Sequence, residues 1–243
     1  YMYKRCSISS ATSPAFVKRL EARTSVVDKE SKSKVKYWPQ YAEEFYRPVP
    51  KKDLEDLKIS NTFRIAFTGN IGYAQGLDIL PKTAEILKQQ NISCEFVIVG
   101  DGRYMDEFKT EIVERKVDAM FLLLGRKKPE EIPGYLALCD TAFISFADNP
   151  LFEKTIPAKL QSYMACKMPI LAAASGETRR VIEEAQCGIC SEIGDAKKLA
   201  ESIIACGEME KSGLEEMREN ASRYCEMNFE KDTLLNQLEQ MEE

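Results

Sequence analysis

From Thr62 onward the chain alternates short apolar runs with longer stretches in which apolar residues recur every three or four positions. The runs Phe63–Thr68, Cys94–Val99, Ala119–Leu124, Asp140–Phe146, Pro169–Ala173 and Gly188–Glu192 each have the length and continuity of a strand buried on both faces. The intervening stretches predict helices over Gly76–Gln90, Arg103–Lys116, from Pro129, from Ile156-Pro157 to Cys166, over Glu177–Gln186 and from Asp195 to Cys206. In the first of these Leu77, Leu80, Ala84 and Leu87 fall on one face. Further helices are expected from Leu214 and Lys231. Regular β-α alternation predicts an α/β fold, a Rossmann-like parallel sheet with helices on both faces.

Upstream the pattern is less regular. A strand over Lys4–Ser9, a helix over Pro14–Ala22 capped by Thr12 or Ser13, and a strand over Val35–Trp38 are expected. The lysine-rich stretch Asp28–Lys34 and the extended Arg47-Pro-Val-Pro-Lys51 read as connections. A boundary is expected between about residues 45 and 60, with residues 1–48 a remnant of a preceding domain plus linker, 49–212 the Rossmann-like domain, and 213–243 closing helices.

Composition narrows the chemistry. The 243 residues are 44% hydrophobic and 30% charged, with net charge −5, which disfavours a nucleic-acid-binding face. No apolar run has the length of a membrane span, and the start lacks a signal-peptide pattern. There is no histidine, which excludes Ser-His-Asp and Cys-His triads and His-based zinc sites within the chain. A first residue of Tyr rather than Met leads us to expect a fragment. Of the eight cysteines only Cys187 and Cys190 are close; they read as reduced, mostly buried residues.

In an open α/β sheet ligands bind at the carboxyl ends of the strands, and four such ends carry glycine or charge. Gly69-Asn-Ile-Gly72 precedes a helix, a pattern suited to a phosphate or to a plain tight turn. Gly100-Asp-Gly102 begins like GxGxxG, but Met105 replaces the third glycine and no acid ends the next strand, which argues against NAD. No GxxxxGK[ST] occurs. Gly125-Arg-Lys-Lys128 places three cations at one strand end. In Phe152-Glu-Lys-Thr-Ile-Pro-Ala-Lys159, Lys159 falls in the first helical turn, where the macrodipole disfavours a cation unless an anion answers it.

The segments Phe67–Leu77, Val97–Gly102, Leu124-Gly-Arg126, Asp140, Ile156–Ile170 and Ala185–Gly188 together resemble the C-terminal, nucleotide-sugar-binding half of GT-B glycosyltransferases of family 4 (group 1). The likeness is to the bacterial branch that builds capsule, exopolysaccharide and O-antigen chains, including fucosaminyltransferase-like members. Lys36–Tyr46 resembles the interdomain linker of these enzymes.

The resemblance implies a retaining, hexosyltransferase-type enzyme whose C-terminal domain holds the diphosphate of a UDP- or GDP-sugar, as substrate, without a metal or other cofactor. Diphosphate contacts would come from Gly69, Asn70, Gly72, Gln75, Pro157, Ala158 and Lys159. Nucleoside or sugar contacts would come from Gly102, Arg103, Arg126, Lys127, Glu153, Lys154, Ser162 and Glu177. The catalytic residues and the glycan or lipid-linked acceptor would belong to a missing N-terminal domain, as would any peripheral membrane association, and the location would be cytoplasmic. The fragment alone is expected to bind a nucleoside diphosphate weakly and to transfer nothing.

Two departures stand out. The E-x7-E positions of the family are Lys154 and Ser162, with Glu153 and Gln161 one residue out of register. The usual Arg and Lys around the glycine loop are Asn70 and Gln75. Two other readings accompany these departures: a non-catalytic nucleotide-binding module, and a sugar-nucleotide epimerase on the same architecture. The last helix is expected to cross back, with Leu234, Leu235, Leu238 and Met241 needing a partner.

Overall fold

Six strands carry the regular part of the chain: β3 (Phe63–Asn70), β4 (Cys94–Asp101), β5 (Phe121–Gly125), β6 (Thr141–Ser145), β7 (Ile170–Ala173) and β8 (Gly188–Ser191). They form one all-parallel sheet in the order β5-β4-β3-β6-β7-β8, preceded by a separate parallel pair, β1 (Ile8–Ala11) and β2 (Lys34–Tyr37). The structure, a computed structural model, describes residues 8–27 and 34–242. The part of the first expected strand before Ile8 therefore lies outside the described residues, as does the lysine-rich connection before Lys34.

The helices are α1 (Pro14–Val27), α2 (Ile79–Gln89), α3 (Met105–Glu114), α4 (Ile132–Ala137), α5 (Ala158–Ala165), α6 (Gly176–Ala185), α7 (Ala196–Glu208), α8 (Lys211–Asn228) and α9 (Lys231–Glu242). Successive strand residues point to opposite faces. Ala66, Val97, Ala142, Ile144 and Ala172 therefore pack with Leu136, Leu160, Ile182 and Cys225 from α4, α5, α6 and α8. Ile65, Phe67, Phe96, Ile98 and Phe143 pack on the other face with Leu80, Phe108 and Ile203 from α2, α3 and α7. Burial on both faces is what makes these strands continuous apolar runs rather than alternating ones.

The sheet order reverses at β3, which has β4 on one side and β6 on the other. Pairing of β3 with β6 covers only Ile65↔Thr141 and Ala66↔Ala142, whereas pairing with β4 runs from Phe63↔Cys94 to Asn70↔Asp101. Beyond Ala66 the two strands are no longer paired.

Element starts differ from expectation where turn chemistry intervenes. The expected helix at Gly76 begins at Ile79, after a 3-10 turn over Tyr73–Gln75. Gly76 is left-handed (φ 58°), and a Cβ there would lie 2.6 Å from the Phe146 carbonyl oxygen. The strand expected from Ala119 begins at Phe121, because Asp118–Met120 form another 3-10 turn.

The stretch read as a linker is irregular, yet Leu57 is 2% exposed and Tyr46 and Leu54 pack on the α4–α5 side of the core. Helix α8 also belongs to that core through Ala221 and Cys225, and Phe229 just beyond it is buried there. Helix α9 lies against residues 38–44: the Trp38 indole donates to the Leu234 carbonyl at 2.8 Å, and Lys231 pairs with Glu44 at 3.0 Å. Leu234 is buried there, and Leu235 and Leu238 are half-buried.

Candidate functional site

The carboxyl ends of β3, β4 and β5 and the amino end of α5 enclose a cavity of about 380 Å³. Its floor is backbone. Gly69 and Gly100 sit side by side at the ends of β3 and β4, so close that a Cβ on Gly100 (φ 154°) would lie 1.9 Å from the Gly69 carbonyl oxygen. Only glycine allows that approach together with that backbone angle.

Lys159 hangs over this floor. Its Nζ would be 4.0 Å from a Cβ placed on Gly69, and it lies 4.1 Å from the centre of the Phe67 ring. It donates to Gln75 Oε1. No carboxylate pairs with it among the described residues, and burial pulls its pKa down to about 7. Beside it the amides of Ala158 and Lys159, in the first turn of α5, have no acceptor within their own helix. Pro157 caps the helix in an extended conformation, and Ala158 and Lys159 line the cavity.

The far wall holds Arg126, exposed, and Lys127. Lys127 is already engaged: it meets Asp56 at 2.5 Å, Asp56 accepts from the Tyr135 hydroxyl at 2.9 Å, and the ion pair holds the Lys127 pKa above its ordinary value. Ser162 faces the cavity from the next turn of α5, its hydroxyl donating to the Ala158 carbonyl at 3.1 Å. Tyr46 reaches in from the irregular stretch and lines the cavity with Ser162.

Seven of the expected site residues thus share one cavity: Gly69, Asn70, Arg126, Lys127, Ala158, Lys159 and Ser162. The others have different surroundings. Gly72 and Gly102 do not line the cavity; a Cβ on Gly72 would lie 2.7 Å from the Asn70 amide nitrogen, and one on Gly102 2.2 Å from the Ile71 carbonyl oxygen. Gln75 serves as the partner of Lys159 rather than as a cavity wall. Arg103 is exposed on the turn between β4 and α3, outside the cavity.

Glu153, Lys154 and Glu177 gather at a second place, against α1. The Ser13 hydroxyl donates to the Lys154 carbonyl at 2.5 Å, and the Lys154 ammonium donates to the Pro150 carbonyl at 3.2 Å. The Glu153 carbonyl packs on Gly176. Glu177 accepts from the Ala15 amide at 2.9 Å and pairs with Arg180 at 2.8 Å. Lys154 and Glu177 are engaged there, and none of the three residues lines the cavity.

Gly100 and Asp101, from the candidate strand end Gly100-Asp-Gly102, also line the cavity, and Thr68, Pro129, Ile132 and Tyr46 join them without having been singled out. For Thr68 the signal is position near a strand end. Tyr46 carries none, because only the fold of the preceding stretch delivers it. Cys187 and Cys190 are free thiols, each pushed up to about 12 by burial. No group of three or more acidic, cysteine or histidine side chains that could hold a metal occurs among the described residues, and none of their helices is long and apolar enough to cross a membrane.

The model of the family described as glycosyl transferases group 1 matches residues 51–225, and the chain belongs to that family. It is 29% identical over 174 residues to the probable glycosyltransferase WbjE of Pseudomonas aeruginosa, covering 69% of this chain and 42% of that protein. It is 28% identical over 144 residues to the amylovoran biosynthesis glycosyltransferase AmsK of Erwinia amylovora, covering 58% of this chain and 35% of that one. The chain thus matches less than half the length of either relative.

Among solved structures, sucrose-phosphate synthase of Thermosynechococcus elongatus superposes with a TM-score of 0.77 at 16% identity, covering 99% of this chain and 58% of that one. Anabaena Alr3699/HepE in complex with UDP-glucose gives 0.75 at 19% identity, covering 99% and 65%. These likenesses are of fold: a parallel sheet flanked by helices, as in GT-B glycosyltransferases.

Proposed function

We propose that the cavity at the ends of β3, β4 and β5 holds the diphosphate and nucleoside of a nucleotide-sugar donor, UDP- or GDP-linked. In the full-length protein that sugar would be transferred, with retention, to a glycan or lipid-linked acceptor in cell-surface polysaccharide synthesis. The observation that carries this reading is Lys159: a cation with no carboxylate partner among the described residues, beside two free helix amides and above a glycine floor.

Breaking the bond between the sugar and the diphosphate leaves negative charge on the departing phosphate oxygen. Fixed N–H donors and a poised ammonium stabilise that charge without having to reorganise. Arg126 adds a second cation on the far wall. Two structural neighbours support the ligand class, since HepE was solved with UDP-glucose and the pneumococcal O-GlcNAc transferase GtfA with UDP and GlcNAc. No metal or other cofactor is part of the proposal.

Thermal unfolding with UDP, GDP, ADP and UDP-sugars tests the reading. A ligand at 100 times its dissociation constant adds about 2.7 kcal/mol, which raises the melting temperature by several degrees. Stabilisation by at least one nucleoside diphosphate is expected. Failure of all of them overturns the proposal.

The Ser162 hydroxyl, standing where many family members have a glutamate, keeps a second reading in view: a nucleotide-binding module without turnover. Sugar transfer by the full-length protein would exclude it.

A further inference from the structure

Arg64, Ala66 and Thr68 lie on β3 at every second position, so their backbone groups face the same neighbouring strand. That side is β6: the Arg64 carbonyl accepts from the Asp140 amide at 2.9 Å, and Ala66 pairs with Ala142. Thr68 lies past the point where that pairing ends, and β6 supplies it no partner. The Tyr163 hydroxyl, arriving from α5, takes that place. It accepts from the Thr68 amide at 2.8 Å and the Thr68 hydroxyl at 3.2 Å, and is 3.4 Å from the Thr68 carbonyl as donor.

Tyr163 is fully buried, so these contacts are not shared with solvent. It also lies one turn after Lys159 on α5, on the same face. One hydroxyl therefore ties the residue that precedes Gly69 to the helix that carries Lys159 and the free amides.

We infer that Tyr163 is a positioning residue: its hydroxyl sets the spacing between the Gly69 turn and the amino end of α5, the two walls of the proposed diphosphate subsite. This rests on the proposed reading of the cavity. A residue that sets this spacing acts on phosphate binding more than on nucleoside binding, because the nucleoside would lie toward Arg126 and Pro129 on the other wall.

The test is calorimetric titration of the 243-residue chain and of Tyr163→Phe with UDP and, separately, with uridine. Phenylalanine keeps the buried ring but takes the partner from the Thr68 amide, hydroxyl and carbonyl, so the two walls lose the tie that sets their spacing. The expected result is a tenfold weaker Kd for UDP with the Kd for uridine within twofold. Equal weakening of both ligands, or no change in either, overturns the inference. If the unaltered chain binds none of UDP, GDP and ADP, the functional reading itself fails and the inference with it; if it binds GDP or ADP instead of UDP, the same comparison is made with that diphosphate and its nucleoside. Should Tyr163→Phe not fold, Thr68→Val removes only the hydroxyl–hydroxyl bond. A two- to threefold loss for UDP and none for uridine is then expected, and unchanged UDP binding overturns the inference.

Discussion

The α1–α6 junction and the β3–α5 cavity both bring charged side chains to the amino end of a helix. At the α1–α6 junction Glu177 is closed on both sides, by the Ala15 amide and by Arg180, and the Lys154 carbonyl is capped by Ser13. At the β3–α5 cavity Lys159 has only an amide oxygen and a ring face, and two helix amides lack acceptors within the helix. Both regions carry charge at strand ends and helix starts, and along the sequence both are candidates. What separates them is whether the protein completes its own electrostatics. A lysine in a first helical turn works against the macrodipole, and at Lys159 an anion arriving from outside would offset that cost.

The contrast breaks most sharply at the cavity floor. Gly100→Ala would drive a Cβ into the Gly69 carbonyl at a backbone angle that alanine resists, and is expected to cost about 3 kcal/mol. Chemical unfolding should show that loss together with the disappearance of UDP binding. A variant as stable as the parent would mean that the floor is not the close contact described.

Lys159→Gln tests the central cation. Losing a charge-assisted contact to phosphate is expected to weaken UDP binding by about 2 kcal/mol, roughly thirtyfold, while stability holds or rises. Unchanged affinity would remove Lys159 from the site.

The pH dependence sharpens the same point. Free Lys159 has a pKa of about 7, and a bound diphosphate would raise it, so the complex holds a proton that the free protein lacks above that pH. Affinity for UDP should then fall by up to about tenfold per pH unit above about 7, and level off below it until the phosphate itself takes up a proton at about pH 6. Lys127 shares the cavity, and its ion pair with Asp56 holds its pKa above the ordinary lysine value. Lys159→Arg, permanently charged, should abolish the alkaline fall; a fall that persists would assign it to another group.

The smallest effect belongs to the junction. Glu177→Gln keeps an acceptor for Ala15 but loses the ion pair with Arg180, whose side chain is 39% exposed. About 1 kcal/mol of stability is expected to go, roughly 3 °C in Tm, with UDP affinity within about twofold. A large loss of binding would show that the two regions are coupled.

Much of this fold was legible along the chain. Apolar runs located all six strands of the main sheet, with differences of a few residues where 3-10 turns replaced the expected starts. Lys159 drew attention through its conflict with the helix dipole alone. The choice among the remaining candidates was not legible. Gly72 and Gly102 look like phosphate-loop glycines until the Asn70 amide and the Ile71 carbonyl are seen filling the space they leave. Gln75 and Lys159 are distant in sequence and adjacent in space. Glu177 is accounted for only by a helix that begins far upstream of it.

The sequence by itself determined the elements, the parallel α/β class and the strand ends where a ligand could bind, because hydrophobic period and glycine placement act over a few residues. The tertiary structure alone decided the strand order, the arrival of Tyr46 and Tyr163, and which charges are neutralised internally. Those outcomes depend on distances between residues far apart in the chain, and electrostatic and hydrogen-bond energies are functions of distance in space, not of separation in sequence.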